Sequence, residues 1–309
     1  MSATHDDGGC RQAAAPSAPR LSASEPNTLP EVFDRAVRRF ADRPALDFFG
    51  RKWTYRDVGE LTDRVAEGLI RLGVGHGVKV GLCLPNSPYS VVFYFAILKS
   101  GGTVVNYNPL YTPRECLAQI LDSDTTIMVL PDIERVYGPV AAVADEAGLR
   151  HLVVCPFADA LPFGRGVLYR LFKRTEKARV HDDARHVSFS KLLSGRSATQ
   201  RRPAPRPDDV ALLQYTGGTT GVPKGAMLTH ANLAGNVRQL SPLMQGGGLR
   251  DGQERALAVI PLFHVFAMTV AMNLALDMGA QIVLVPQFKI EELLATIART
   301  KPTFFPAVP

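Results

Sequence analysis

Paired cysteines, a secretion signal and a block of one charge sign are all missing from this chain, and each absence removes a class of function. Its four cysteines, Cys10, Cys83, Cys116 and Cys155, stand far apart with no CxxC or CxxxH spacing. Neither a zinc site nor a disulfide framework is expected, and a reducing cytosol is the compartment this usage fits. The first 28 residues carry Asp6 and Asp7 where a signal peptide has basic residues, and no apolar core follows. Rich in Ala, Ser and Pro, they read as a disordered tail. The basic excess is small, 35 Lys and Arg against 29 Asp and Glu for a net charge of +6, and it is spread along the chain. That balance suits phosphate or anionic-lipid partners and does not make a nucleic-acid binder. At 309 residues and 46% hydrophobic, the chain is globular and long enough for a substantial core.

From residue 29 onward, short runs of Val, Leu and Ile alternate with stretches of helical period. This is the pattern of βα units, an α/β fold with mostly parallel sheets flanked by helices. Strands are expected at 78–84, 103–106, 126–130, 152–155, 210–215, 256–260, 282–285 and 303–305. The clearest helix spans 54–72, where Val58, Leu61, Val65, Leu69 and Leu72 share one face and Gly73 ends it. Thr112, Pro113 and Glu115 form a second legible start, a capping box with proline at the first helical position. Residues 256–276 carry no formal charge over a length that could span a bilayer. Pro261 and His264 interrupt them, which favours a buried strand feeding a buried helix.

The alternation fails over 157–209, where a basic stretch and an Arg, Ser and Pro-rich loop read as an insertion or linker. Within it Val167, Leu168, Leu171 and Phe172 sit among Arg165, Arg170, Lys173, Arg174, Lys177 and Arg179. Two readings stand open: a basic amphipathic helix lying on the inner face of an anionic membrane, or a solvated surface helix. At the other end, the apolar run TFFPAVP reads as a parallel strand for which no covering helix follows before Pro309. A domain of 29–309 cut short of its full fold is expected.

The most informative segment is QYTGGTTGVPKGAMLTH, from Gln214 to His230. An apolar strand runs into Thr216, Gly217, Gly218, Thr219, Thr220 and Gly221 and closes on Pro223, Lys224 and Gly225. Such a loop leaves backbone amides free to form an anion nest, adds hydroxyl donors, and places a mobile cation at Lys224. A flexible glycine linker would not combine a preceding strand, ordered threonines and a closing Pro-Lys-Gly. The Walker A loop requires Gly and then Ser or Thr around its lysine, whereas Pro223 precedes Lys224 and Gly225 follows it. GxGxxG is absent too, so neither a P-loop NTPase nor a Rossmann dehydrogenase is supported.

At these residues the chain resembles the adenylate-forming superfamily of acyl-CoA synthetases, luciferases and peptide-synthetase adenylation domains. YTGGTTGVPKG looks like that family's phosphate loop. WTYRDVGELTDRVAEGL at 53–69 and LKSGGTVVNYNPLYTPRE at 98–115 are similar to its first two core motifs. PLFHVFA at 261–267 resembles the aromatic and histidine motif beside the acyl pocket. YNPLYTPRE and PLFHVFA together are most similar to the long-chain fatty acid CoA ligases.

The resemblance implies two half-reactions at one site. A fatty acid carboxylate attacks the α phosphate of ATP, giving acyl adenylate and pyrophosphate, and CoA thiolate then displaces AMP. It implies Thr216 as a hydroxyl ligand of Mg²⁺ or phosphate, Thr219, Thr220 and Lys224 as holders of the triphosphate, and Gly217, Gly218 and Gly221 as points of close backbone approach. His264, which by itself reads as a hydrogen-bonded core histidine, would lie near the carboxylate or adenylate. The family's later elements are not in these 309 residues: the Tyr-Gly-x-Thr-Glu motif, the ribose-binding aspartate, and the small C-terminal domain with its lysine. A complete catalytic site is therefore not expected from this polypeptide. The alternative is a non-catalytic protein that binds pyrophosphate or an acyl or membrane surface.

Overall fold

The computed structural model describes residues 25–172, 175–195, 204–216 and 223–307. The tail expected over 1–28 falls almost wholly outside them. The strands are β1 (Pro44–Phe48), β2 (Arg51–Thr54), β3 (Lys79–Leu82), β4 (Thr103–Asn106), β5 (Thr125–Pro131), β6 (His151–Cys155), β7 (His186–Ser188), β8 (Val210–Thr216), β9 (Lys224–Thr229), β10 (Arg255–Ala258) and β11 (Gln281–Leu284). Seven of them form one sheet in the order β7-β6-β5-β3-β4-β8-β9, and four form another in the order β10-β11-β1-β2. All neighbours are parallel except the β8–β9 and β1–β2 hairpins. Seven expected strands are present. The eighth, at 303–305, makes only an isolated parallel bridge from Phe304 to Ala256.

Side chains from both sheets meet in one hydrophobic cluster, Val80, Ile127 and Val153 from the larger sheet with Leu46, Phe48 and Ile282 from the smaller. Helices α1 (Leu29–Arg39), α2 (Tyr55–Arg71) and α3 (Pro88–Lys99) contribute to the same cluster. Helix α2 matches the periodicity of its sequence and starts on a Thr54 capping box with Asp57. Helix α3, PYSVVFYFAILK, is apolar on every side, and every residue but Lys99 is buried. The Lys99 ammonium reaches Asp34 and Asp63, each at 2.6 Å, which ties the end of α3 to α1 and α2. Helix α4 (Pro113–Ser123) begins on the capping box read from Thr112 and Glu115.

The stretch expected as an insertion is partly integral to the sheet. After α5 (Glu134–Ala141) and β6, it holds α6 (Phe157–Ala160), α7 (Phe163–Phe172), strand β7 paired to β6, and α8 (Phe189–Leu193). Helix α8 packs on α2 so closely that a Cβ at Gly68 would lie 2.5 Å from the Leu192 carbonyl. Three residues of strand in a basic context escaped the sequence reading because β7 buries only Val187.

Beyond α9 (His230–Gly246), strand β10 leads through Pro261 into one helical run. It opens as α10 (Val265–Ala267), widens to a π-helix over Met268–Leu274, and closes as α11 (Ala275–Asp277). The uncharged run at 256–276 is thus a buried strand, a turn and a buried helix. Among the described residues no helix is long and apolar enough to cross a membrane. Helix α12 (Ile290–Thr300) is fixed to β1 by Arg299, whose two guanidinium nitrogens donate to Asp47 at 2.8 and 2.7 Å.

Candidate functional site

Strand β8 is the stalk of the glycine-threonine loop. Its partner β9 starts at Lys224, so Thr216 and Lys224 face each other across the last antiparallel pair of the hairpin. Both side chains are exposed. Gly217, Gly218, Thr219, Thr220 and Gly221 lie outside the described residues. Just below the mouth the Tyr215 ring packs on Gly225, where an added Cβ would stand 3.0 Å from it, so a side chain there would need the ring to give way. The Tyr215 hydroxyl donates to Asp122 on α4. Burial, and then the bond to this carboxylate, push the phenol well above its ordinary value and keep it a neutral donor.

A chain of buried amides joins this hairpin to the histidine motif. Gln119 Nε2 donates to the Asn106 carbonyl at 2.9 Å, and Asn106 Nδ2 donates to Gln214 Oε1 at 3.2 Å. Gln214 Nε2 in turn donates to the Phe263 carbonyl at 3.0 Å. Gln214 stands two residues before Thr216, and Phe263 precedes His264. Each bond satisfies a polar group that has lost its water, so the chain fixes the distance between the two motifs.

A second clamp works from the other side. Asn86, in the Pro85-Asn86-Ser87-Pro88 turn after β3, donates through Nδ2 to the carbonyls of Ala258 at 3.0 Å and Ile260 at 3.1 Å. Its Oδ1 accepts from the Leu262 amide at 2.7 Å. One side chain from the larger sheet thereby holds the segment leaving β10 in the smaller one. The carboxyl ends of parallel strands in the two sheets meet here, the edge at which open α/β sheets gather ligands.

His264 stands at the N-cap position of α10 without a side-chain capping bond and is exposed, with its ring 4.3 Å from that of Phe263. Partial burial lowers its pKa from the ordinary imidazole value, which favours the neutral ring. Beneath Phe263 the free space is only about 10 Å³, bounded by Leu82, Leu84, Tyr94, Leu262 and Met272. Further along the same edge a cavity of about 1200 Å³ opens where β1, β3, β5, β6 and β11 end, at Phe49, Pro85, Ile133, Phe157 and Pro286.

Of the residues singled out from sequence, the structure thus brings Thr216, Lys224 and His264 to one edge. His230 instead opens α9 behind the Thr229 cap and is buried. Asn86, Asn106 and Gln214 were not foreseen as site residues, although Asn106 and Gln214 stand inside the motif segments and Asn86 in a Pro-Asn-Ser-Pro turn. Among the described residues no group of three His, Cys, Asp or Glu side chains is placed to hold a metal. At the hairpin mouth the Thr216 hydroxyl and the Lys224 ammonium can both donate to phosphate, and the hydroxyl oxygen alone could join phosphate oxygens around Mg²⁺.

Two sheets meeting at their carboxyl edges, with a glycine-threonine loop on a hairpin and a histidine turn bound to it, define the α/β architecture of the adenylate-forming enzymes. The chain belongs to the AMP-binding enzyme family, which matches residues 33–309. It is 35% identical over 294 residues to a long-chain-fatty-acid–CoA ligase of Bacillus subtilis, covering 91% of this chain and 50% of that protein. A long-chain-fatty-acid–CoA ligase of Escherichia coli O157:H7 is 36% identical over 84% of this chain and 46% of its own. Among solved structures, a long-chain-fatty-acid-CoA ligase from Archaeoglobus fulgidus superposes with a TM-score of 0.73 at 29% identity, over 93% of this chain and 53% of that one. The chain spans about half the length of the curated relatives it matches.

Proposed function

We propose that this chain supplies the phosphate-loop and histidine side of a site that activates a long-chain fatty acid with ATP and passes the acyl group to CoA, releasing pyrophosphate and AMP. The observation that carries the reading is the amide chain from Gln119 to Phe263, which holds the loop-bearing hairpin and the His264 turn in register. Two anions must meet in the first half-reaction, so the protein's task is charge control. Lys224 offsets the charge that develops on departing pyrophosphate, and the hydroxyls and amides of Thr216 to Gly221 donate to its oxygens. Thr216 and phosphate oxygens would hold Mg²⁺, which when bound screens the triphosphate. His264, neutral at the rim, donates or accepts one hydrogen bond at the carboxylate end. Relatives named long-chain-fatty-acid–CoA ligases support the substrate class.

The test uses the full-length gene product. Fatty-acid-dependent exchange of pyrophosphate into ATP reports the first half-reaction, and thioester formation from supplied acyl adenylate reports the second. Lys224→Ala should slow exchange by about a hundredfold, the loss typical of one preorganised electrostatic group, and leave the second step nearly intact. Equal losses in both steps would refute the role, and exchange without fatty acid would refute the substrate class.

A further inference from the structure

Three buried tyrosines spend their hydroxyl protons inside the fold. Tyr55 donates to the Ala280 carbonyl at 2.8 Å, Tyr89 to the Pro156 carbonyl at 3.1 Å, and Tyr107 to Thr125 Oγ1 at 2.9 Å. Tyr94, in the middle of α3 and 2% exposed, only accepts. Asn273 Nδ2 donates to its hydroxyl at 3.4 Å, and among the described residues no acceptor takes the Tyr94 proton. Burial raises the phenol's pKa, so that proton stays on the oxygen. Asn273 is buried in turn, carried by the π-helix over Met268–Leu274, and its Oδ1 has no partner. One pair of side chains thus holds an unused donor and an unused acceptor, and each costs free energy until something fills it.

The recess of about 10 Å³ beneath Phe263 is bounded by Tyr94 and by Met272, the residue before Asn273. That is room for one water-sized group. Its other polar neighbours are engaged: Ser90 Oγ donates to the Ser87 carbonyl at 2.7 Å, and Asn106 Nδ2 donates to Gln214. A hydrocarbon filling the recess would leave Tyr94 and Asn273 unsatisfied. A hydroxyl answers both, because its oxygen accepts from Tyr94 while its own O–H donates to Asn273 Oδ1.

We propose that Tyr94 and Asn273 select a fatty acid that bears a hydroxyl close to its carboxylate, Tyr94 donating to that hydroxyl and Asn273 accepting from it. The place on the chain follows from Phe263, which walls the recess and immediately precedes His264, the residue assigned to the carboxylate end. The proposal rests on the ligase reading for its substrate class and adds which acid is preferred. A recess that merely held water would show no such preference.

The experiment measures binding of 3-hydroxytetradecanoic and tetradecanoic acid to the full-length gene product by titration calorimetry without ATP, and then kcat/KM for both acids in pyrophosphate exchange. The hydroxylated acid should bind about tenfold more tightly, the net worth of one or two hydrogen bonds, and keep that advantage in kcat/KM. Tyr94→Phe should bring the ratio to about one, and so should Asn273→Leu, which nearly preserves volume. Each ratio is taken within one protein, so a general loss of stability or activity does not imitate the effect; should Asn273→Leu fail to fold, Tyr94→Phe decides. Equal binding of the two acids by wild type would overturn the proposal and leave the recess to water. A preference that survives Tyr94→Phe would overturn it too. Absence of exchange with either acid, beside an intact preference in calorimetry, would refute the ligase reading and leave the selection by Tyr94 and Asn273 standing.

Discussion

Replacing Asn86 by aspartate exchanges one amino group for an oxygen at constant shape, and the consequence can be worked from three hydrogen bonds. The introduced carboxylate keeps the bond from the Leu262 amide but loses the donations to Ala258 and Ile260, and it faces their carbonyl oxygens at the distances of 3.0 and 3.1 Å that the amide now spans. Ala258 keeps a second donor, the Val285 amide at 3.1 Å, so the Ile260 carbonyl is the one orphaned. Two lost bonds at about 1 kcal/mol each and one orphan at about 1–3 kcal/mol give roughly 3–5 kcal/mol of destabilisation at neutral pH. Burial and the facing carbonyls raise the carboxyl's folded pKa above its unfolded value of about 3.9. Stability recovered by protonation is therefore fully present below the unfolded value and lost as pH rises through the folded one. Urea unfolding of variant and wild type, compared at neutrality and in mild acid, should show the difference shrinking in acid. Exchange of pyrophosphate into ATP should fall as well, because Leu262 to His264 lose their anchor. A variant as stable as wild type at neutral pH, or a deficit that ignores pH, would refute the clamp.

Burial lowers the His230 imidazole from 6.5 to about 4, so the ring is neutral in the fold and takes up a proton on unfolding. Its share of stability is present above the unfolded pKa and lost as pH falls toward the folded one; wild type should lose up to about 3 kcal/mol there that His230→Gln keeps, read from denaturant midpoints against pH. Arg299→Met strands the buried Asp47 carboxylate and should cost about 3 kcal/mol, the low end for a broken buried pair because Arg299 is 39% exposed. A thermal melt within a degree or so of wild type would show the pair to be dispensable.

Apolar β-branched runs announced the central parallel strands, because burial on both faces leaves no room for polar residues. Strands β1, β2, β7 and β9 were not legible for the converse reason. PALDF and RKWT mix charge into a short hairpin, and Asp47 is acceptable inside because the Gly50 amide and Arg299, the latter 252 residues away, both reach it. Strand β9, KGAMLT, edges its sheet and is largely exposed, so no hydrophobic alternation was demanded of it. At the site, Thr216, Lys224 and His264 stood out through motif and composition. Asn86, Asn106 and Gln214 did not, since an amide in a turn or at a strand end shows its purpose only when its partner arrives, 174 residues later for Asn86 and Ile260. Nor does the pattern around Met268 betray a π-helix, which owes its register to packing and not to local preference.

Because Thr216 and Lys224 are already neighbours in the β8–β9 ladder, the seven residues between them leave and rejoin the fold at adjacent points. The entropy of closing that segment is met by the ladder and varies only slowly with the segment's length. On the function proposed above, replacing its glycines or threonines should change exchange of pyrophosphate into ATP more than it changes the melting temperature.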